Sequence, residues 1–329
     1  MEPSEIPLRW NILDQSPIPE GENAGDALRN TLDLAQLADR LGYHRYWIAE
    51  HHATPGLACA SPEIMIGPLA AATTRIRIGS GGVMLPHYSP LKVAENFSML
   101  AALWRTPEGC GRIDLGIGRA PGTSSAVALR LQRDRRLPAP DDFPDQLTEL
   151  LGYFSSRISG LRFTSPEPWL LGSSPQSGIW AAELGLPYCF ADFINPAGAA
   201  IAAHYRERFT PSAWQSEPRT AVAVWAICAP TDEEALRLSA SFRMMMLQLY
   251  RGRLIPVPPI EDALRFLEAE GIPMNELPAG RRIITGSPAK VRCALEAVAA
   301  EYQAQEVFVV NIMYDHELRR RSYELIAEP

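Results

Sequence analysis

Two of the chain's six histidines are adjacent, in the run Glu50-His51-His52. A histidine aimed into a pocket can take or give a proton near neutral pH, because its ordinary pKa lies close to 6.5. Successive side chains at a strand end point to opposite faces, so one of the pair is expected inward and the other outward. No metal is expected: there is no HExxH motif, and adjacent strand histidines do not converge on an ion. Three glycine clusters stand at the ends of other apolar runs: Gly79-Ser80-Gly81-Gly82, Gly116-Ile117-Gly118-Arg119, and Gly172-Ser173-Ser174 with Ser177 soon after. A serine-rich turn opening a helix offers backbone N–H groups and hydroxyls to an anion. A nearby arginine adds fork-shaped donors worth about 1.5–3 kcal/mol per charged hydrogen bond. Singly, Ser177 reads as a helix cap and Arg119 as half of a surface ion pair; on one rim they read as a phosphate site. Gly81-Gly82 fit two readings equally: bare backbone against a flat aromatic ligand, or a bulge in the strand.

These groups can cooperate only if the chain gathers them, and its periodicity predicts how. Short β-like runs at 8–13, 45–50, 76–85, 112–118, 169–171, 188–192, 221–229 and 306–312 alternate with helical stretches. The helices are expected at 26–41, 62–74, 90–104, 141–155, 177–184, 196–208, 232–248, 287–303 and 315–326. Eight strand–helix units in one uninterrupted composition predict a single (β/α)8 barrel over 1–329. In that fold the working residues sit at the C-terminal ends of the strands, where His51, Gly81, Gly82, Arg119 and the serines all fall. A polar stretch, 119–140, carries the charge run RLQRDRR. Proline-rich 249–282, after the seventh helix, is expected to be an irregular insertion, either a lid or a passive surface loop.

Composition narrows the chemistry further. The chain has 329 residues, 31 basic and 38 acidic side chains, a net charge of −7 and 47% hydrophobic residues. A mildly acidic protein with no basic block is not expected to bind nucleic acid, and no run reaches the ~20 apolar residues of a membrane span. The five scattered cysteines read as reduced and buried, and MEPSEIPLRW is unlike a signal peptide, so the expected location is cytoplasmic. GIGRAPG misplaces the third glycine of the dinucleotide fingerprint, and no G-x-S-x-G elbow or Cys–His motif supports covalent catalysis.

Four runs, RYWIAEHH, IRIGSGGVMLP, GRIDLGIGRAPG and LLGSSPQSGIWAAELGLP, occur in this order at the strand ends. Together they resemble the bacterial luciferase-like flavin monooxygenases, in particular the single-chain "luciferase family oxidoreductase" group, from about residue 9 to 326. The resemblance implies a barrel that binds FMN as FMNH2, uses O2 as co-substrate and oxygenates a small organic molecule through a C4a-peroxyflavin. It implies that His51 serves the oxygen chemistry and that Gly81-Gly82 form a cis peptide behind the flavin ring. It further implies that Arg119, Ser174 and Ser177 hold the phosphate, whereas Ser173 stands where luciferase carries an acidic residue. Trp47, Met84 and Leu85 are the expected apolar substrate wall, and 249–282 corresponds to the family's mobile lid. A separate flavin reductase and a homodimer built around a segment such as 58–74 are the implied partners. Alternatives within and beyond the fold are F420-dependent hydride transfer and flavin binding without turnover. The segment 156–168 looks shortened and 104–113 carries extra residues, but neither touches a motif.

Overall fold

In the computed structural model, which describes residues 8–106, 108–109, 111–119, 123–132, 142–155, 164–273 and 282–328, the apolar runs are parallel strands. They are β1 (Arg9–Asp14), β2 (Arg45–Ile48), β3 (Arg77–Met84), β4 (Ile113–Gly118), β5 (Glu167–Gly172), β6 (Tyr188–Ala191), β7 (Thr220–Cys228), β8 (Ile283–Gly286) and β9 (Glu306–Val310). β1 to β6 pair in chain order, and the contacts β6–β7, β7–β9 and β9–β1 close the ring. This is the expected eight-stranded barrel. β8 is a ninth strand outside that count: it joins the upper half of β7, Trp225–Cys228, just beyond the pairing of β7 with β6, which ends at Ala223.

Helices α1 (Ala24–Leu41), α2 (Pro62–Ala72), α3 (Pro90–Leu103), α4 (Ser125–Leu131), α5 (Phe143–Phe154), α6 (Pro175–Leu184) and α7 (Ala199–Arg208) follow the first six strands. The remainder are α8 (Asp232–Leu238), α9 (Ala240–Tyr250), α10 (Ile260–Ala269), α11 (Pro288–Tyr302) and α12 (His316–Ala327). α1 shows why the local sequence decides: Asn23 and Asp26 form a reciprocal capping box, and Gly42, at φ +82, ends the helix in a conformation that costs other residues more. The expected helix 232–248 is two, α8 and α9, joined at Ser239. The polar stretch 119–140 contains α4, and the insertion 249–282, expected to be irregular, contains α10. Ala263 and Leu267 of α10 are buried with Ala240 of α9, which gives a short amphipathic helix the partner it needs. Residues 274–281 of the insertion, 133–141 and 156–163 lie outside the described residues.

Inward side chains fill the barrel: Trp47 stacks on Phe308 at 4.0 Å and meets Trp169 edge-on at 5.4 Å. Outward side chains of the same strands pack against the helices in a second, larger core. At the N-terminal mouth the barrel is plugged by charge. Arg45 reaches Asp114 at 2.6 Å, Glu306 at 2.8 Å and Glu167 at 3.0 Å; Arg77 and Arg219 complete the cluster from either side. The guanidinium groups of Arg45 and Arg219 lie 4.9 and 4.8 Å from the Trp169 ring. Cys59, Cys189 and Cys228 are free and buried, but Cys293 is exposed on α11, contrary to expectation, and Cys110 lies outside the described residues. Among the described residues no helix is long and apolar enough to cross a membrane.

Candidate active site

At the opposite mouth lies a cavity of about 530 Å³, within the range typical of small-molecule sites. His51 and His52 line it together with Gln15, Thr54, Leu57, Thr123 and Ser124. Both histidines face the same space. The inward–outward alternation does not apply, because β2 stops at Ile48 and the pair stands in the loop beyond it. That loop is held in shape: the His51 N–H donates to the Cys59 carbonyl at 2.9 Å, and Ala53 adopts φ +48. A left-handed non-glycine residue costs about 1–3 kcal/mol and persists where its surroundings impose it.

The two rings are in different states. His52 Nε2 lies 2.7 Å from Glu50 Oε1, while Glu50 Oε2 accepts the Met84 N–H at 3.0 Å, tying the ends of β2 and β3 together. Thr123 Oγ1 donates to the His52 carbonyl at 2.9 Å. His51 Nδ1, by contrast, is buried with no hydrogen-bond partner among the described residues. Burial, followed by the neighbouring His52, pushes the His51 pKa down from 6.5 to about 4. His51 is therefore neutral at pH 7, and its burial disfavours the protonated ring.

Arg119 follows β4 directly and is exposed, its guanidinium 5.5 Å over the ring of Trp180 on α6. Ser174 is the N-cap of that same helix, and its side chain caps no backbone N–H. Arg119 and Ser174 thus both meet α6, one at Trp180 and the other at its N-cap. Ser173 is half-buried and its carbonyl accepts from Asn195 Nδ2 at 3.1 Å, next to the cavity-lining Phe193 and Ile194. Ser177 is different: it is buried, its hydroxyl donates to the Ser174 carbonyl at 2.7 Å, and it lies 2.9 Å from the Tyr188 hydroxyl. Two protein partners therefore occupy that hydroxyl. Ala120, Pro121 and Gly122 lie outside the described residues. Thr123 and Ser124, which come after β4, and Phe193 and Ile194, which come after β6, line the histidine cavity; Arg119 and Ser174 are not among its lining residues.

The Gly81-Gly82 peptide is cis and coincides with a shift in the β3–β4 register between Ser80 and Val83. Crowding from within the protein explains the glycines. A Cβ on Gly82 would stand 2.6 Å from Leu171 Cδ1 and 2.8 Å from the Gly116 carbonyl, and one on Gly81 would collide with Leu13. Neither glycine lines the cavity.

The expected substrate wall is corrected. Trp47 is fully buried inside the barrel, its Nε1 donating to Asp114 Oδ2 at 2.8 Å, because it belongs to the inward layer of β2. Leu85 is equally buried in the outer core, in a 3-10 turn facing the helices. Met84 is half-buried beside Gly118, away from the cavity lining. The apolar wall comes instead from Phe193, Trp225 of β7, Ile312 after β9, Leu254-Ile255, and Phe242, Met245, Met246 and Leu249 of α9. The four α9 residues recur at i, i+3, i+4 and i+7, so the stripe was present in the sequence as a helical face.

Residues 9–304 match the luciferase-like monooxygenase family. The chain belongs to that family. It is accordingly an enzyme, a flavin-dependent oxidoreductase. Among its relatives, the Bacillus subtilis (strain 168) protein YwcH is 42% identical over 97% of this chain and 98% of its own length. An N-acetyl-S-alkylcysteine monooxygenase of the same strain is 36% identical over 98% of each. The crystal structure of apo-MsnO8 superposes with a TM-score of 0.88 at 39% identity, covering 97% of both chains. More distant luciferase-like structures share the fold alone. An FMN complex of the oxygenating constituent of 3,6-diketocamphane monooxygenase has a TM-score of 0.71 at 20% identity, covering 98% of this chain and 97% of that one. An F420-dependent secondary alcohol dehydrogenase has 0.62 at 14%, covering 97% and 98%.

Proposed function

We propose that this luciferase-like enzyme is an FMNH2- and O2-dependent monooxygenase of a small, largely apolar organic substrate. The observation that carries this reading is His51: a neutral imidazole with a buried nitrogen that has no partner among the described residues, on a largely apolar cavity. An orphaned buried polar atom costs roughly 1–3 kcal/mol, and such atoms persist where a ligand or a reaction uses them. The residues present fit FMN. Arg119 and the open N-terminal turn of α6, with Ser173 and Ser174, would hold its phosphate. Reduced FMN, when bound, supplies the two electrons needed to place one oxygen atom of O2 in a substrate and the other in water. His51 receives or returns the proton at its free ring nitrogen. Glu50 keeps His52 and the end of β3 in register around it, and the apolar wall excludes water and grips the substrate.

In this reading FMNH2 arrives from a separate reductase, since the chain lacks a dinucleotide fingerprint. Ile64 on α2 and Met99 and Leu103 on α3 are 68%, 72% and 69% exposed, an apolar face that favours pairing with a second copy. The deciding experiment is equilibrium binding of FMN, FMNH2 and reduced F420 to the purified chain. FMN is expected to bind, and Arg119→Ala to weaken it about tenfold or more while leaving riboflavin, which has no phosphate, unchanged. Preference for F420 over FMN would move the enzyme to hydride transfer. FMNH2 oxidation without product, across a panel of thioethers, aldehydes and aromatics, would leave only flavin binding.

A further inference from the structure

Among the described side chains that line the His51 cavity, one carries a permanent charge: Arg253. Its setting follows from the sequence Arg251-Gly252-Arg253. Arg251 is neutralised on the α10 side, where its two terminal nitrogens meet the Glu270 carboxylate at 2.8 and 2.5 Å and its guanidinium packs on Phe266. Gly252 takes φ +74, which lets the chain reverse so that the Arg253 N–H returns to the Gln248 carbonyl at 2.8 Å. Four residues later Val257 is bonded on both sides to the β1–α1 loop: its N–H donates to the Ile18 carbonyl and its carbonyl accepts the Glu20 N–H, each at 2.8 Å. The strap 253–257 is thus fastened at both ends across the cavity mouth. Two arginines one residue apart are treated in opposite ways. The first has a carboxylate; the second has no ion pair or side-chain hydrogen bond among the described residues.

We propose that Arg253 selects the substrate's charge: the preferred substrate is an amphiphilic carboxylate, its apolar body against α9 and Trp225 and its carboxylate on Arg253. This rests on the monooxygenase reading and adds to it the substrate class. The chemistry of the lining carries the argument. No aspartate or glutamate lines the cavity among the described residues, His51 is neutral, and His52 is engaged with Glu50, so nothing there competes for the guanidinium. An apolar volume with one solvent-exposed guanidinium at its edge among the described residues, unpaired with any carboxylate there, binds a molecule with one anionic end better than a neutral molecule or a dianion. A flavin phosphate would present similar chemistry, but the Arg119–Ser174 rim offers it a place outside the cavity lining.

Titration of the full chain with decanoate and with decanol, followed by the fluorescence of cavity-lining Trp225 against a Trp225→Phe control, tests the assignment. FMN and riboflavin binding are measured on the same samples. Decanoate is expected to bind about tenfold more tightly than decanol, Arg253→Gln to abolish that difference, and Arg253→Lys to restore part of it. Equal binding of the two, or a preference that survives Arg253→Gln, overturns the proposal while FMN binding keeps the monooxygenase reading intact. If Arg253→Gln instead weakens FMN but not riboflavin, the arginine reads the flavin phosphate and the proposal is wrong. Failure of wild-type chain to bind FMN at all refutes the monooxygenase reading, and the decanoate preference is then judged on its own.

Discussion

The two mouths of this barrel are built on opposite rules. At the N-terminal end four arginines, Arg9, Arg45, Arg77 and Arg219, meet three carboxylates, and every one of those carboxylates has at least two cationic partners. Burial alone would raise Glu306 and Asp114, yet Arg45 with Arg219, and Arg45 with Arg77, hold them down at about 2. At the C-terminal end polar groups are left partly unsatisfied: His51 has an empty nitrogen and Arg253 has no counter-ion among the described residues. The same strands connect both ends. A satisfied buried network fixes geometry, whereas an unsatisfied one is stable only on a frame that something else holds rigid. The lower plug is that frame, and it allows the upper rim to keep reactive groups available.

The largest effect expected from this division is at Arg45, the one cation shared by Asp114, Glu167 and Glu306. Arg45→Ala leaves buried carboxylates short of a partner and should lower unfolding stability by about 3–5 kcal/mol. Flavin affinity per folded molecule should stay unchanged. Urea denaturation with parallel FMN titration measures both, and a stable Arg45→Ala protein with lost flavin binding would reverse the roles assigned to the two ends.

His51→Ala should do the opposite. The rate of product formation should fall by about 10²–10⁴, the usual contribution of a positioned acid–base group. The urea midpoint should hold or rise, because the substitution removes an unsatisfied buried nitrogen. A loss of stability comparable to that of Arg45→Ala would show His51 to be structural.

What was legible in the sequence follows the same division. The eight barrel strands and the strand-end residues were readable because period-2 and period-3.6 patterns report burial against an immediate neighbour. The structure places His51 on the cavity and packs Arg119 on the helix that Ser174 caps. Trp47 and Leu85 were misplaced because a pattern shows that a side chain is buried without showing which layer buries it. β8 is four residues long, and its pairing with the upper half of β7 depends on where β6 ends, which only the folded barrel fixes. The cavity wall joins Gln15 to Ile312 across nearly the whole chain, so its membership is a tertiary fact. The α9 stripe could have been found, since Phe242, Met245, Met246 and Leu249 have helical spacing, but nothing local says that this stripe faces a cavity.

Acid separates the two mouths more finely. Asp114 and Glu306 are depressed from 3.8 and 4.5 to about 2, so the stability they confer is complete above about pH 4.5. It is lost as pH falls through about 2. His51 is depressed from 6.5 to about 4. The unfolded chain therefore takes up that proton first, and its contribution turns against the fold as pH drops from 6.5 to 4, levelling off below. Wild type minus His51→Ala should thus lose stability across that upper window, with a slope approaching about 1.4 kcal/mol per pH unit at most. Wild type minus Glu306→Gln should be flat there and change only below pH 4.5. Equal slopes in both windows would mean that the two ends are not electrostatically independent.

The smallest effect distinguishes a cavity wall from a core. Leu249 is 42% exposed yet lines the cavity, whereas Leu85 is fully buried and lines none of it. Leu85→Ala should cost about 2–5 kcal/mol of stability through the void it leaves, with no change in decanol affinity. Leu249→Ala should move stability by no more than about 0.5 kcal/mol, because exposed side chains away from special features contribute little to folding. It should still weaken decanol several-fold, since a ligand buries surface there that the fold leaves open. Chemical denaturation and decanol titration on the two variants settle the matter: a Leu249→Ala protein with wild-type decanol affinity would place the apolar ligand elsewhere and detach α9 from the site.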